Sequence, residues 1–251
     1  MSYNPFTLEG KTILITGASS GIGCETAIQC SKLGAKVIIT ARNEERLTET
    51  LNSMEGEGHQ KILADLSHCE ELEKLVEAIG NINGLVLCAG KSILTSFLFS
   101  TRVKYEDVFD VNFFAPIELL RLLVKKKKFQ KESSVVMVTS IGGVNCYAIG
   151  SSVYGPSKAA LQSAMKQCAL ELAPRRIRVN GVSPGMVNTP FIAVGDSPIS
   201  DEQFKADMER YPLKRYGEPQ DVAFAIIYLL SDASSWVTGH ALVIDGGRTL
   251  D

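Results

Sequence analysis

Short apolar runs alternate with amphipathic stretches along the whole chain. Strand-like runs fall at 12–16 (TILIT), 36–40 (KVIIT), 61–64, 85–88 (LVLC), 135–139 (VVMVT), 178–182 and 241–244 (ALVI). They are rich in Val and Ile and nearly continuous in apolarity, as strands covered on both faces should be. Between them, 24–33, 44–54, 69–79, 153–172 and 220–230 carry helical spacing. The longest puts Val153, Ala160, Leu161, Ala164, Met165, Cys168 and Leu172 on one side. This alternation predicts an α/β fold, a doubly wound and mostly parallel seven-stranded sheet with helices on both faces and right-handed crossovers. No repeat, low-complexity tract or linker-like break divides the chain, so one domain over 1–251 is expected. The least regular stretch, 191–216, holds Gly195, Pro198 and Pro212. It is expected to be a mobile lid, with 201–210 as a short amphipathic helix turning Phe204 and Met208 inward.

Composition narrows the class. A single domain of 251 residues buries roughly three quarters of its surface and needs no disulfide or metal to hold it. The net charge of −2 gives no global field for nucleic acid or an anionic membrane. Cys24, Cys30, Cys69, Cys88, Cys146 and Cys168 form no C-x-x-C pair and no zinc-spaced cluster. Several lie in apolar runs, which fits a reducing compartment. The opening Met-Ser-Tyr-Asn-Pro-Phe lacks a signal-peptide pattern. No apolar run approaches the roughly 20 residues that cross a bilayer. A cytoplasmic protein is expected.

Candidate chemistry begins after the first strand, at Thr16-Gly17-Ala18-Ser19-Ser20-Gly21-Ile22-Gly23. Gly17 allows a tight turn, Gly21 lets backbone approach a ligand, and Gly23 lets the next helix pack closely on the sheet. The helix N-terminus then offers free N–H groups to a pyrophosphate. A glycine-rich turn alone can be structural. Its place between a strand and a helix favours dinucleotide binding and a Rossmann-type domain. The second strand ends Ile39-Thr40-Ala41-Arg42-Asn43 without an acid. An acid there would accept from the ribose 2′-OH of NAD, whereas Arg42 can pair with the 2′-phosphate of NADP. The bland alternative is an exposed arginine opening a helix.

A second constellation opens the long helix. In Tyr154-Gly155-Pro156-Ser157-Lys158, the Tyr and Lys share one face at i and i+4. Tyrosine titrates near 10, and a nearby ammonium is expected to lower that by about 1–3 units, making a usable acid/base. Isolated, such a pair would be a surface feature. Here Ser140 follows a strand, and Gly142-Gly143 leave room for a ligand beside it. A hydroxyl there can donate to a carbonyl oxygen. Asn112, in Asp110-Val111-Asn112, is compatible with a simple helix cap.

Taken together, TGASSGIG (16–23), ADL (64–66), CAG (88–90), DVN (110–112), TSIGG (139–143), YGPSK (154–158), RVNGVSPGMVNTP (178–190) and WVTGHALVIDGG (236–247) span nearly the whole chain. The sequence resembles the short-chain dehydrogenase/reductase family, in particular its 3-oxoacyl-[acyl-carrier-protein] reductases. That resemblance implies NADP(H)-dependent interconversion of a ketone and a secondary alcohol. It implies a catalytic set of Asn112, Ser140, Tyr154 and Lys158: Tyr154 exchanges the substrate proton and Ser140 polarises the carbonyl. Lys158 lowers the tyrosine pKa and holds the nicotinamide ribose, while Asn112 supports a relay water. The cofactor contacts it implies are Gly17, Ser19, Ser20, Gly21, Ile22, Gly23, Arg42, Asn43, Asp65, Leu66, Cys88, Ala89 and Gly90, with Tyr154 and Lys158. Asp65 meets the adenine, and Pro184, Gly185, Val187 and Thr189 line the nicotinamide side. A homotetramer or homodimer built on the long helix and the last strand is also implied. The chain departs from the family in having Leu87-Cys88 where N-N precedes A-G, which places some sheet hydrogen bonds in question. Its Ser140–Tyr154 spacing is one residue longer than the family's, which the intervening loop can absorb.

Weaker signals complete the reading. Lys125–Lys128 with Lys131 is either a solvated helix end or, with Arg175 and Arg176, a dock for an acidic acyl carrier protein. His59, His68 and His240 share no spacing, and Trp236 reads as core or interface. Rivals on the same site are a sugar, polyol or hydroxysteroid dehydrogenase. An enoyl reductase fits less well, because that branch spaces its Tyr and Lys more widely. A nucleotide-sensing regulator would not need a Tyr–Lys–Ser proton machine.

Overall fold

Seven strands form one sheet: β1 (Thr12–Thr16), β2 (Lys36–Ala41), β3 (Gln60–Leu63), β4 (Ile82–Leu87), β5 (Phe129–Val138), β6 (Ile177–Pro184) and β7 (Ala241–Ile244). Their order is β3-β2-β1-β4-β5-β6-β7, and every pairing is parallel. The computed structural model describes residues 3–193 and 201–250. The chain winds outward from β1 to β3, then returns to lay β4 against the other side of β1. That reversal opens a crevice at the carboxyl ends of β1 and β4, where open α/β sheets bind ligands.

Helices cover both faces, as the continuous apolarity of the strands requires. On one face α1 (Gly21–Lys32), α2 (Glu44–Asn52) and α8 (Pro219–Leu230) bury Ala27, Cys30, Leu47, Val222, Ile226 and Leu229 against Ile13, Ile15 and Val136. On the other, α3 (Cys69–Ala78), α5 (Ala115–Lys125) and α6 (Tyr154–Leu172) bury Leu72, Leu75, Leu119, Leu123, Leu161 and Met165 against Leu85, Val135 and Met137. All seven expected strands occur. β5 begins at Phe129 rather than 135; its opening half is polar and exposed and so gives no apolar run, and Glu132 takes a left-handed φ of 59° where the register to β4 shifts.

The expectations miss one element. Residues 102–125 form a nearly continuous helix: α4 (Arg102–Phe109), a π-helical turn (Asp110–Phe114) and α5. Pro116 lacks the N–H that would bond the carbonyl of Asn112, and the wider turn accommodates that loss. The π turn puts α4 and α5 out of phase, but α5 alone keeps helical spacing, burying Ala115, Leu119, Leu120, Leu122 and Leu123, so the sequence pattern hides only the joined length of the helix. Trp236 is 99% exposed, which removes it from the core of this chain. His59 is structural: its Nδ1 accepts from Val37 N at 3.1 Å. Among the described residues the cysteines are free, and no helix is long and apolar enough to cross a membrane.

The expected lid divides. Residues 194–200 lie outside the described residues. The helix expected at 201–210 is α7 (Asp201–Met208), with Phe204 and Met208 half-buried. Beyond it the segment is anchored rather than loose. Tyr211 and Tyr216 are buried, Tyr216 Oη donates to Asp207 Oδ2 at 2.9 Å, and Leu213 N donates to Gly246 O at 3.2 Å.

Candidate active site

A cleft of about 1250 Å³ runs along the carboxyl edge of the sheet. At one end, Gly17 leaves β1 with φ +67°, and a Cβ there would stand 2.7 Å from Ala89 Cα. A Cβ on Gly23 would meet the Gly17 carbonyl oxygen at 2.4 Å, so Gly23 packs α1 on the turn rather than on the sheet. Ser20 precedes α1 in extended conformation and makes no side-chain cap, which leaves the first-turn N–H groups open to the cleft. Ser19, Ser20, Gly21 and Ile22 line it there, and Thr189 faces Gly21 across it.

The same wall continues through Arg42, Asn43, Asp65, Leu66, Cys88, Ala89 and Gly90. Asn43 caps α2 by accepting from Arg46 N at 2.9 Å. Arg42 lies 3.6 Å from Asp65. Burial raises the Asp65 carboxyl, but hydrogen bonds from Ser67 and the Arg42 charge outweigh it and hold Asp65 below the usual carboxylate range. Arg46 also lines this end of the cleft. The sequence reading passed over Arg46, although it stands at i+4 from Arg42. The doubt over Leu87-Cys88 is answered by Thr16, whose buried Oγ1 accepts from Cys88 N (3.0 Å) and Ala89 N (3.2 Å).

At the other end, α6 presents Tyr154 and Lys158 from one face. Ser140 stands beside Tyr154 and pulls its pKa down against burial, and its Oγ accepts from Gly142 N at 3.0 Å. Gly143, with φ +85°, lies so close to Gly155 that a Cβ would overlap that carbonyl oxygen at 2.2 Å. Its role is therefore to hold the Ser140 loop against the first turn of α6, not to make room for a ligand. Lys158 is 4% exposed; its Nζ donates to Val138 O at 2.8 Å and stands 6.0 Å from the Tyr154 ring centroid. Asn112 is fully buried in the π turn and does not line the cleft. It accepts from Lys91 N (2.7 Å) and donates to Lys91 O and Ser157 Oγ (both 2.9 Å). Ser157 Oγ donates in turn to Tyr154 O at 2.7 Å. Asn112 is thus no helix cap. It ties the loop after β4 to the turn that carries Tyr154, with Ser157 as the link the sequence reading overlooked.

The expected lowering of the tyrosine pKa does not hold here. Desolvation pushes Tyr154 up to about 12, with Ser140 opposing. Lys158 is pushed down to about 8, again by burial. Burial of both groups, rather than the charge of Lys158, sets the direction of the tyrosine shift. Burial also raises the Cys88 thiol, to about 11, against the pull of Lys158.

Pro184, Gly185, Val187 and Thr189 follow β6 along the opposite wall. Tyr211 Oη accepts from Met186 N at 3.1 Å, and the Phe191 ring lies 5.9 Å from that of Tyr154. Cys146, Tyr147, Ile149, Arg210 and Arg248 also reach this end, and no motif announced them. The basic run lies elsewhere. Lys125–Lys128 closes α5 and leads into β5, at the amino edge of the sheet. Lys127 takes the left-handed φ of 56°, and Lys128 Nζ donates to Ile79 O. Within one chain this patch is separated from the cleft by the length of β5, roughly 30 Å.

A family model described as enoyl-(acyl carrier protein) reductase matches residues 17–249. The 3-oxoacyl-[acyl-carrier-protein] reductase FabG of Rickettsia prowazekii is 36% identical over 246 residues, covering 97% of this chain and 98% of that protein. A tropinone reductase homolog of Arabidopsis thaliana is 32% identical over 254 residues, covering 98% and 92%. The solved structure of a short-chain dehydrogenase/reductase of Brucella melitensis, described as SDR:glucose/ribitol dehydrogenase, superposes with a TM-score of 0.88 at 30% identity, covering 96% and 97%.

Proposed function

The chain belongs to the short-chain dehydrogenase/reductase family, and we propose that it is an NADPH-dependent ketone reductase acting on a 3-oxoacyl substrate. One observation carries this reading: a Ser140–Tyr154–Lys158 cluster at one end of a cleft whose other end holds an uncapped helix N-terminus and two arginines. The open α1 N–H groups fit a pyrophosphate, and Arg42 with Arg46 fit a 2′-phosphate. Gly17, Ser19, Ser20, Gly21, Ile22, Asn43, Asp65, Leu66, Cys88, Ala89, Gly90, Pro184, Gly185, Val187 and Thr189 would complete that contact, with Gly23 supporting the turn.

A dinucleotide held by these residues would supply a hydride. The chain supplies the rest. Tyr154 Oη holds a proton through neutral pH, because burial keeps its pKa high, and so serves as the acid that delivers it to the carbonyl oxygen. Ser140 Oγ donates to the same oxygen as negative charge gathers there. Lys158 is charged below about 8 and stabilises the phenolate that Tyr154 leaves. Asn112 and Ser157 keep the tyrosine turn in place. α7 and Phe191 would cover the substrate and exclude water.

The four-residue Tyr154–Lys158 step favours carbonyl reduction over the enoyl reduction named in the family model's description. A sugar, polyol or alkaloid ketone is the second reading, supported by the names of the Brucella and Arabidopsis relatives. We also propose a cytoplasmic homotetramer or homodimer, with exposed Leu170 on α6 and Val243 on the edge strand β7 at the contacts. The test is a panel of ketones, 3-oxoacyl thioesters and alcohols assayed with NADPH, NADH and their oxidised forms. Turnover of 3-oxoacyl thioesters with NADPH is expected; turnover confined to sugars, or a preference for NADH, would overturn the corresponding half of the proposal.

A further inference from the structure

The substrate end of the cleft carries a charge that the reaction does not use. Its described ionisable lining, apart from Tyr154 and Lys158, includes Asp207, Arg210 and Arg248. Asp207 is committed: Arg210 Nη1 lies 3.4 Å from its Oδ1, and Tyr216 Oη donates to its Oδ2. Arg248 follows β7 in a turn fixed by Asp245, whose two carboxylate oxygens accept from Gly247 N (2.9 Å) and Thr249 N (2.8 Å). Asp245, three residues before Arg248, is therefore spent on backbone; Asp251, three residues after it, lies outside the described residues. Arg248 is half-buried as a residue, lines the cleft, and pairs with no carboxylate among the described residues. Its charge is felt at Tyr211, which holds Met186 on the wall opposite Ser140 and Tyr154.

No acceptor among the described residues engages the Arg248 guanidinium at the cleft, and its planar fork matches carboxylate or phosphate oxygens. We infer that the substrate of this cleft carries an oxyanion and that Arg248 binds it, setting specificity among ketones; this rests on the ketone-reductase reading. Two sources share that chemistry: the carboxylate of a small oxo acid, and the phosphate on a pantetheine arm that carries a 3-oxoacyl thioester. Arg248 lies outside the proton machinery and acts on KM rather than on the chemical step.

Two matched pairs test it, each differing in one charged group: 3-oxobutanoate against its methyl ester, and 3-oxobutanoyl-pantetheine against its 4′-phosphate. In one pair the anionic member is expected to have kcat/KM higher by about tenfold or more, through KM. Arg248→Met should erase that preference while turning over the neutral member as before, which also shows that the variant folds. Arg248→Lys should restore part of it. A preference in the first pair identifies an oxo acid; one in the second identifies the phosphorylated arm. Turnover with no preference in either pair, or a preference that survives Arg248→Met, overturns the inference alone. No turnover of any member overturns the reductase reading and the inference with it.

Discussion

The two ends of the cleft are built from different material. At the end proposed for the dinucleotide much of the wall is backbone, with Gly17 against Ala89, Gly23 against the Gly17 carbonyl, and open N–H groups on α1, beside Arg42, Arg46 and Asp65. At the substrate end the wall is side chains from distant segments: Tyr154 and Lys158 on α6, Tyr211 after α7, Arg248 after β7. A backbone wall tolerates few residue types at each position, whereas a side-chain wall can be rebuilt for another substrate without moving the sheet.

The largest expected effect lies where the two ends meet. Tyr154→Phe removes the transferable proton and keeps the ring beside Phe191. kcat should fall by roughly 10²–10⁴ while NADPH binding is nearly unchanged. Steady-state kinetics with a cofactor titration by fluorescence would check both, and retention of more than about a tenth of the activity would place the acid elsewhere.

Next comes Gly17→Ala, which tests the backbone wall. It forces an L-residue to φ +67° and drives a Cβ to 2.7 Å from Ala89 Cα. A loss of roughly 2–4 kcal/mol of stability is expected, seen in urea unfolding, together with weakened cofactor binding. An unchanged unfolding midpoint would mean that the turn yields easily. Arg42→Ala should be smaller and selective: affinity for NADPH should drop by about ten- to a hundredfold and for NADH hardly at all. Because Asp65 already competes for Arg42 at 3.6 Å, Arg46→Ala should add a further, lesser loss. Equal losses for both cofactors would show that neither arginine meets a 2′-phosphate.

This division explains what the sequence could and could not reveal. The strands and the glycine turn were legible because burial and backbone geometry restrict residue type locally. Ser140, Tyr154 and Lys158 were legible because a helical step and a strand end bring them together. Residues 102–125 were not legible as one helix, since the π turn at Asp110–Phe114 puts α4 out of phase with α5, although α5 itself carries an apolar stripe. Arg248 and Tyr211 were not, because their meaning depends on which loops close over one another. The pKa of Tyr154 was misjudged for a related reason: spacing shows that an ammonium is near, but not that both groups are desolvated.

A pH profile sharpens the point. Lys158 is pushed down to about 8, so it carries its charge below that pH and loses it above. Tyr154 stays protonated until about 12 and adds no limb in the working range. kcat/KM for NADPH, which reports the free enzyme, should be level below pH 8 and fall about tenfold per unit above it. A rise across that range would mean that the neutral amine is the active form.

The smallest effect is expected from Tyr211→Phe, and it bears most directly on the comparison. Tyr211 is 3% exposed and its Oη accepts from Met186 N, one residue from both Gly185 and Val187. Removing the hydroxyl leaves that N–H without an acceptor but keeps the ring against Gly185 and the edge-on contact with Tyr216. The cost should be about 1 kcal/mol, read as a few-fold fall in kcat/KM with the pH limb unmoved. If this end only positions the substrate, the fall should be shared by charged and neutral ketones alike, since Arg248 keeps its place in the turn fixed by Asp245. A loss as large as that of Tyr154→Phe, or a shifted pH limb, would mean that Tyr211 takes part in proton transfer. The substrate wall would then be part of the chemistry, and it could not be rebuilt freely for another ketone.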